Sequence, residues 1–333
     1  MSNQNNSNAP QDLPWTQVIT KYKVPSRLRS WWQIANTFIP YVILWILMVE
    51  SLSYSYWITL LLSIPAAGLL VRLFIIFHDC GHGAFFTSTG LSKTVGYVLG
   101  VLAFTPYQRW HHAHSIHHKT AGNLDKRGVG DVWTLTVNEY KALSSQKKLM
   151  YRIYRNPFVM FGLGAALMFF INNRFTRKSF TPEEKRSVHY ANLGILVLAT
   201  VLCLTIGWKA YLLIQLPVMY FASVAGVYMF YVQHQFDDVV WYGDKEWDFK
   251  TTALQGSSFF KLPAILQWFT GNIGYHHIHH LSFKVPNYYL EKCHRESSTF
   301  YNIKPITFFQ SFRTLRLRLW NEETGKLVGF KSI

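Results

Sequence analysis

Long apolar runs recur in pairs along this chain. Residues 34–52 and 56–77 are nearly uninterrupted apolar stretches joined by a minimal turn. Residues 189–207 and 209–232 repeat the arrangement. Each run is close to the roughly 20 residues needed to cross a bilayer as a helix. The joints are too short for anything but antiparallel neighbours, so the pattern predicts two helical hairpins. Two shorter runs, 94–107 and 157–171, are expected to lie at the membrane interface or to re-enter it. The segments 78–188 and 234–333 are otherwise polar. The expected fold is an all-α integral membrane protein, with four transmembrane helices in two hairpins capped by a helical domain. Residues 1–14 read as a polar lead-in, residues 1–33 as a tail with an interfacial helix, and 34–333 as one domain. Buried helices of a large soluble core are the alternative. No repeat of solenoid period is visible.

Composition agrees with a chain divided between lipid and water. Of the 333 residues, 50% are hydrophobic and 17% aromatic, yet the mean hydropathy is only +0.07. The net charge of +16 would suggest a nucleic-acid partner on a soluble protein. Its distribution argues for topology instead. Lys and Arg number 4 in residues 1–33, 15 in 78–188 and 12 in 234–333, and the turns between spans hold only Lys209. The positive-inside rule then puts both termini and the long middle segment in the cytosol. Trp15, Trp31 and Trp32, with Arg27 and Arg29, suit an interfacial approach to the first span. Arg72 lies inside the second span, where a charge costs about 2.5–3.5 kcal/mol at mid-bilayer. Snorkelling or an acidic partner is the expected remedy. Cys80, Cys203 and Cys293 are isolated, which excludes a disulfide framework and a zinc ribbon.

The histidines carry the chemistry. His78 and His82 in "HDCGH" extend the second span at i, i+4. His114, His117 and His118 form HxxHH, and His276, His279 and His280 form it again. These spacings bring imidazoles together on a helix face. His234 sits just beyond the fourth run. All four places fall at the same membrane face and meet if the hairpins pack side by side. Eight box imidazoles are too many for one zinc, so two metals with about four nitrogens each are implied, and His234 would be a ninth ligand that makes the pair unequal. Neutral ligands leave two divalent ions uncompensated. Asp79, Asp125, Asp131, Asp237 and Asp238 lie near enough in sequence to offset the charge and orient the rings. A site meeting the lipid phase points to oxygen chemistry on a chain without a polar handle. Iron can do this; zinc, with no redox step, cannot.

With these motifs the chain resembles the membrane fatty-acid desaturases. The boxes "HDCGH", "HSIHH" and "HHIHH", "RWHHAHSIHHKTAGNLD" around the second, "YVQHQFDD" after the last span and "GNIGYHHIHHLSFKVPNYYL" around the third carry the likeness. It runs from about residue 34 to 293, and is marked toward the acyl-lipid desaturases of bacilli and weaker toward plant omega-6 and omega-3 enzymes. The resemblance implies two iron ions (Fe2+) held by the box histidines, and a cis double bond put into a lipid-esterified acyl chain, with delta-5 as the suggested position. It implies dioxygen as oxidant and an enzyme of the cell (plasma) membrane with its active site in the cytoplasm. Two electrons would come from a separate ferredoxin or flavodoxin, because the chain has no flavin pattern and no cluster-forming cysteine set. Lys119, Lys126, Arg127 and Lys284 are the candidate docking charges. His111, His112 and His277 fall outside the box positions. A hydroxylase or ketolase of the same superfamily shares the boxes. A membrane zinc hydrolase has no use for so many imidazoles, and a transporter would want polar residues within the spans.

Overall fold

The computed structural model describes residues 12–333. It is mostly helical, with four helices long and apolar enough to cross a membrane: Arg27–Ser51, Tyr56–Gly81, Pro182–Ile206 and Trp208–His234. These first to fourth spans form the two anticipated hairpins. The first and third begin upstream of their apolar runs because a polar cap starts each. Ser26 accepts a hydrogen bond from the Arg29 N–H at the head of the first span. Thr181 and Glu184 cap the third reciprocally, satisfying N–H groups that a helix end leaves free. Gly207, at φ 87°, makes the turn between the third and fourth spans, a conformation that side chains with a Cβ rarely adopt.

The second span is the hub. It packs on the first and the fourth, and so unites the hairpins. Within its apolar window 61% of residues are buried inside the protein, against 6% for the third span. A helix apolar on every side suits the interior, whereas the third span leaves Leu193, Leu196, Val201 and Leu204 exposed to what would be lipid. Arg72 is buried in the second span and has no acidic partner among the described residues, contrary to the alternative raised from sequence. Its guanidinium donates to Thr37 Oγ1 at 3.1 Å and to the Trp268 carbonyl. It also lies over the Trp268 ring, 4.2 Å from the centroid. A neutral carbonyl, a hydroxyl and a π face replace the carboxylate.

The shorter apolar runs behave differently from each other. The run at 94–107 supplies most of a helix, Thr89–Leu102, that packs on the second and third spans. The run at 157–171 belongs to a pair of helical segments, Ser145–Tyr154 and Phe158–Arg174, bent by 67°. A π-helical turn, Phe158–Gly164, follows the bend and presses Phe161 against Tyr231 of the fourth span.

A polar cap closes the end of the bundle where the boxes lie. It contains short β pairings that a helical reading does not anticipate, since strands of two or three residues leave no alternation to detect. Leu135–Thr136 runs parallel to Leu319–Asn321, which pairs antiparallel with Lys326–Val328. Phe259–Lys261 runs parallel to Pro305–Thr307. The polar lead-in expected over residues 1–14 lies, up to residue 11, outside the described residues. Helix Trp15–Tyr22 docks on helix Asn287–Glu296, where Lys21 Nζ meets Glu296 at 2.8 Å.

Glycines set how closely the helices approach. A Cβ on Gly96 would fall 2.2 Å from the Tyr107 ring, and Tyr107 is fixed by donating to the Cys80 carbonyl at 2.9 Å. Around Gly226 of the fourth span a Cβ would meet nothing within 4 Å. Gly96→Ala is therefore expected to destabilise the protein by about 1–3 kcal/mol, read as a lower Tm in detergent. Gly226→Ala should leave Tm unchanged or raise it.

Candidate metal centre

The second span carries His78 near its C-terminal end, and His82 caps it. Helix Tyr107–Thr120 carries the second box, and helix His276–Leu281 the third. His234 is the last residue of the fourth span. These four elements converge, and nine imidazoles gather in two clusters that could each hold a metal ion. One contains His78, His82, His114, His118 and His279; the other contains His117, His234, His276 and His280. The ring Nε2 atoms point at one another. In the first cluster His78 to His114 is 3.1 Å, His114 to His118 is 3.1 Å and His118 to His279 is 3.0 Å. In the second, His117 to His234 is 3.1 Å, His234 to His276 is 3.0 Å and His276 to His280 is 3.1 Å.

Both HxxHH boxes are shared between the clusters, and helix geometry explains how. Residues i and i+4 are about 40° apart around the axis, while i+3 stands about 60° from i on the other side and about 100° from i+4. The i, i+4 pair of the second box, His114 and His118, enters the first cluster, and His117 turns to the second. The third box does the reverse: His276 and His280 enter the second cluster and His279 the first.

The donor set fits metal ions. Burial, together with neighbouring imidazoles, holds His82, His114, His118, His276, His279 and His280 well below the ordinary histidine pKa. Neutral imidazole is the form that ligates. His82 Nε2 is buried with no hydrogen-bond partner among the described residues, a cost that a metal bond would remove. Nitrogens about 2.1 Å from an ion meet at about 3.0 Å edges when their bonds are perpendicular, and at about 3.4 Å in a tetrahedron. The observed 3.0–3.1 Å edges match the former, so neighbouring nitrogens are spaced closely enough to share one ion.

Two of the five candidate carboxylates touch the clusters. Asp79 Oδ1 lies 2.9 Å from His78 Nδ1, and its other oxygen accepts from the Asn287 N–H at 2.7 Å and side chain at 2.8 Å. Gln33 of the first span donates in turn to Asn287 at 2.8 Å. Asp131 Oδ1 lies 2.5 Å from His117 Nδ1. The structure does not bring Asp125, Asp237 or Asp238 to an imidazole. Asp125 accepts from the Asp244 N–H at 2.8 Å, Asp238 pairs with Lys304 at 3.1 Å, and Asp237 is exposed. The chain turns outward after Phe236, so nearness in sequence to His234 does not become nearness in space.

Among the basic candidates, Lys126 is engaged by Asp244 at 2.5 Å and Arg127 by Glu139. Lys119 is exposed. Lys284 Nζ donates to the His82 carbonyl at 2.7 Å, over the first cluster. His111 and His112 lie outside both clusters, as does His277. His277 is buried against Phe259 and His294, with neither ring nitrogen hydrogen-bonded.

Three further residues were not singled out from sequence. Trp110 stacks on His114, with centroids 4.4 Å apart, and meets His78 edge-on. Its place four residues before His114 on one helix was the available signal. Asn287 anchors Asp79 and stands within the stretch that carries the family likeness. Arg155 is fully buried and donates to Gln235 Oε1 and the Leu317 carbonyl, each at 2.9 Å, fixing the chain just after His234. Nothing local distinguishes it from the other basic residues of its segment.

A cavity of about 350 Å³ runs between the second and fourth spans and the bent segment to the clusters. Leu70, Phe74, Phe169, Met219 and Val227 line it, and His78, His114 and His276 stand at its end. Its lining is mostly apolar, and both clusters contribute an imidazole.

Comparison with known proteins accords with this arrangement. The sequence model of the family described as "Fatty acid desaturase" matches residues 54–311. The chain is 48% identical to the "Fatty acid desaturase" of Bacillus subtilis (strain 168), over 96% of this chain and 90% of that protein. It is 29% identical to "Omega-3 fatty acid desaturase, endoplasmic reticulum" of Vigna radiata var. radiata, over 73% of this chain and 66% of that one. It is 26% identical to "sn-1 acyl-lipid omega-3 desaturase (ferredoxin)" of Nostoc sp. (strain 36), over 78% of this chain and 74% of that one. Spans, histidine clusters and sequence agree, and the chain belongs to the fatty acid desaturase family of membrane-bound oxidoreductases.

Proposed function

We propose that this protein is a di-iron acyl-lipid desaturase that inserts a cis double bond into a lipid-esterified chain. It would use dioxygen and two electrons from a ferredoxin or flavodoxin. The observation that carries this reading is the apolar cavity ending on imidazoles from both clusters. The two clusters, with five and four imidazoles, would each hold an iron ion, and iron so bound supplies dioxygen reduction and oxidation of an unactivated C–H bond. The residues of the chain do the rest. Leu70, Phe74, Phe169 and Val227 hold the acyl chain by apolar contact and exclude water. Trp110 fixes the His114 ring, and Asp79 and Asp131 hold His78 and His117 in one orientation. Depth of insertion then chooses the carbon pair, and delta-5 is the position carried forward from the family likeness. The charge distribution supports a multi-pass protein of the cell membrane with both termini and the clusters in the cytoplasm.

Purified, iron-loaded protein is expected to hold about two irons per chain by plasma mass spectrometry. His234→Ala should lose metal from the four-imidazole cluster and abolish desaturation, while His277→Leu keeps both ions. Metal loss in His277→Leu with retention in His234→Ala would overturn the ligand set. Reporter tags at residues 53 and 208 should read as external and a tag at 150 as internal; the opposite result refutes the orientation. Fatty-acid profiling after expression in a host lacking polyunsaturates should reveal a new cis bond at delta-5. Another position corrects the regiochemistry alone, and an unchanged profile removes the activity. Gly226→Phe should fill the cavity, cutting conversion of long chains at least about tenfold while metal content and Tm persist.

A further inference from the structure

Eight of the nine clustered imidazoles are buried, none of them more than 8% exposed, and the ninth, His114, is half-buried beside the apolar cavity. An electron from a separate protein must therefore cross a layer of side chains, and transfer slows steeply as that layer thickens. One residue makes the layer thin. Phe283 is 37% exposed and stacks on His82, with centroids 5.0 Å apart and planes 27° apart. It also meets the His118 ring at 5.7 Å. A single aromatic side chain thus connects solvent to two imidazoles of the five-imidazole cluster.

The surroundings of Phe283 are positive. Lys284 follows it in the chain, exposed, and is tethered to the His82 carbonyl. Lys93 is exposed. Burial first, and then the charges of His112, Lys284 and Lys93, hold the His111 imidazole below its ordinary value, and His111 and Lys284 both lie against the Gly81–Gly83 end of the second span. Glu184, beside His112, is shared by Arg109 at 3.6 Å and His112 at 3.9 Å. Of the other basic candidates, Lys126 and Arg127 are each paired with a carboxylate.

We propose that an acidic one-electron carrier protein docks over Phe283, held by Lys93 and Lys284, and that its electrons reach the centre through the Phe283–His82 stack. The proposal rests on the desaturase reading and names the partner's footprint on it. For each double bond the acyl chain gives up two hydrogens. One dioxygen takes these with two electrons and two protons and leaves as two waters. The carrier is oxidised by one electron per encounter, so two encounters serve each turnover. A small charged patch suffices, because redox complexes are brief and bury little surface, and steering by charge raises the encounter rate.

The probe is a recombinant plant-type [2Fe–2S] ferredoxin, used with iron-loaded, detergent-solubilised full-length enzyme. Affinity is measured at low and high ionic strength, and reduction of the centre is followed by stopped flow with ferredoxin or with dithionite. Lys93→Glu should weaken ferredoxin binding about tenfold at low salt and much less at high salt, where charge is screened, with dithionite reduction unchanged. Phe283→Leu should retain affinity and slow reduction by ferredoxin. Lys126→Glu should change neither. Wild-type affinity and salt dependence in Lys93→Glu, or loss in Lys126→Glu instead, overturns the docking face. Wild-type ferredoxin reduction in Phe283→Leu overturns the path. Reduction of the wild-type centre without any double bond in an added acyl lipid would instead count against the desaturase reading.

Discussion

Nine imidazoles lie within two clusters whose neighbouring ring nitrogens are only 3.0–3.1 Å apart, and this crowding is the constraint on which the rest of the molecule depends. Adjacent imidazolium ions in a dry interior would repel strongly, and burial, with neighbouring imidazoles, holds His82, His114, His118, His276, His279 and His280 well below the ordinary histidine value. Burial at the same time strips water from the ring nitrogens. Those nitrogens then need partners that the protein alone does not provide, which is the condition a metal site creates. Two divalent ions among neutral ligands would retain most of their charge, with Asp79 and Asp131 as the two carboxylates in contact.

Four elements must be held rigidly for this to work, and the frame is built by polar groups outside the clusters. Gln33 of the first span, Asn287 and Asp79 form a buried chain of hydrogen bonds that ends on His78. Arg155 performs a similar task at the other side, joining Gln235 to the C-terminal segment through Leu317. A buried Arg left without its acceptors is costly, so the contacts around Arg155 commit the chain after His234 to one course. The second span connects frame and membrane. It packs on the first and fourth spans, lines the cavity with Leu70 and Phe74, and delivers the first box at its end.

The cavity and the clusters are complementary in polarity. One is an apolar slot, and the other a polar core that meets it only at the slot's end. An apolar lining gives affinity without direction, so a ligand lying there would be selected by length and shape. Gly226 leaves part of that space free.

The sequence by itself determined the hairpins, because lipid imposes a length and an apolar content that no interior helix needs. It also determined the histidine boxes and the approach of His234, because i, i+3 and i+4 spacings have one meaning on a helix. The family likeness was legible in the same motifs. What the tertiary structure decided was the partition. Spacing brings His114, His117 and His118 to one side of a helix, yet only the position of that helix between the clusters sends His117 away from its neighbours. The five carboxylates illustrate the same limit: Asp79 and Asp131 reach a ring, while Asp125, Asp237 and Asp238 do not, although all are near a box in the chain. Lys126 and Arg127 looked like a free basic patch until folding placed Asp244 and Glu139 beside them. Periodicity is a local property that neighbouring residues encode together. Lys126 and Asp244 are 118 residues apart, and only packing in three dimensions brings that acid beside that base.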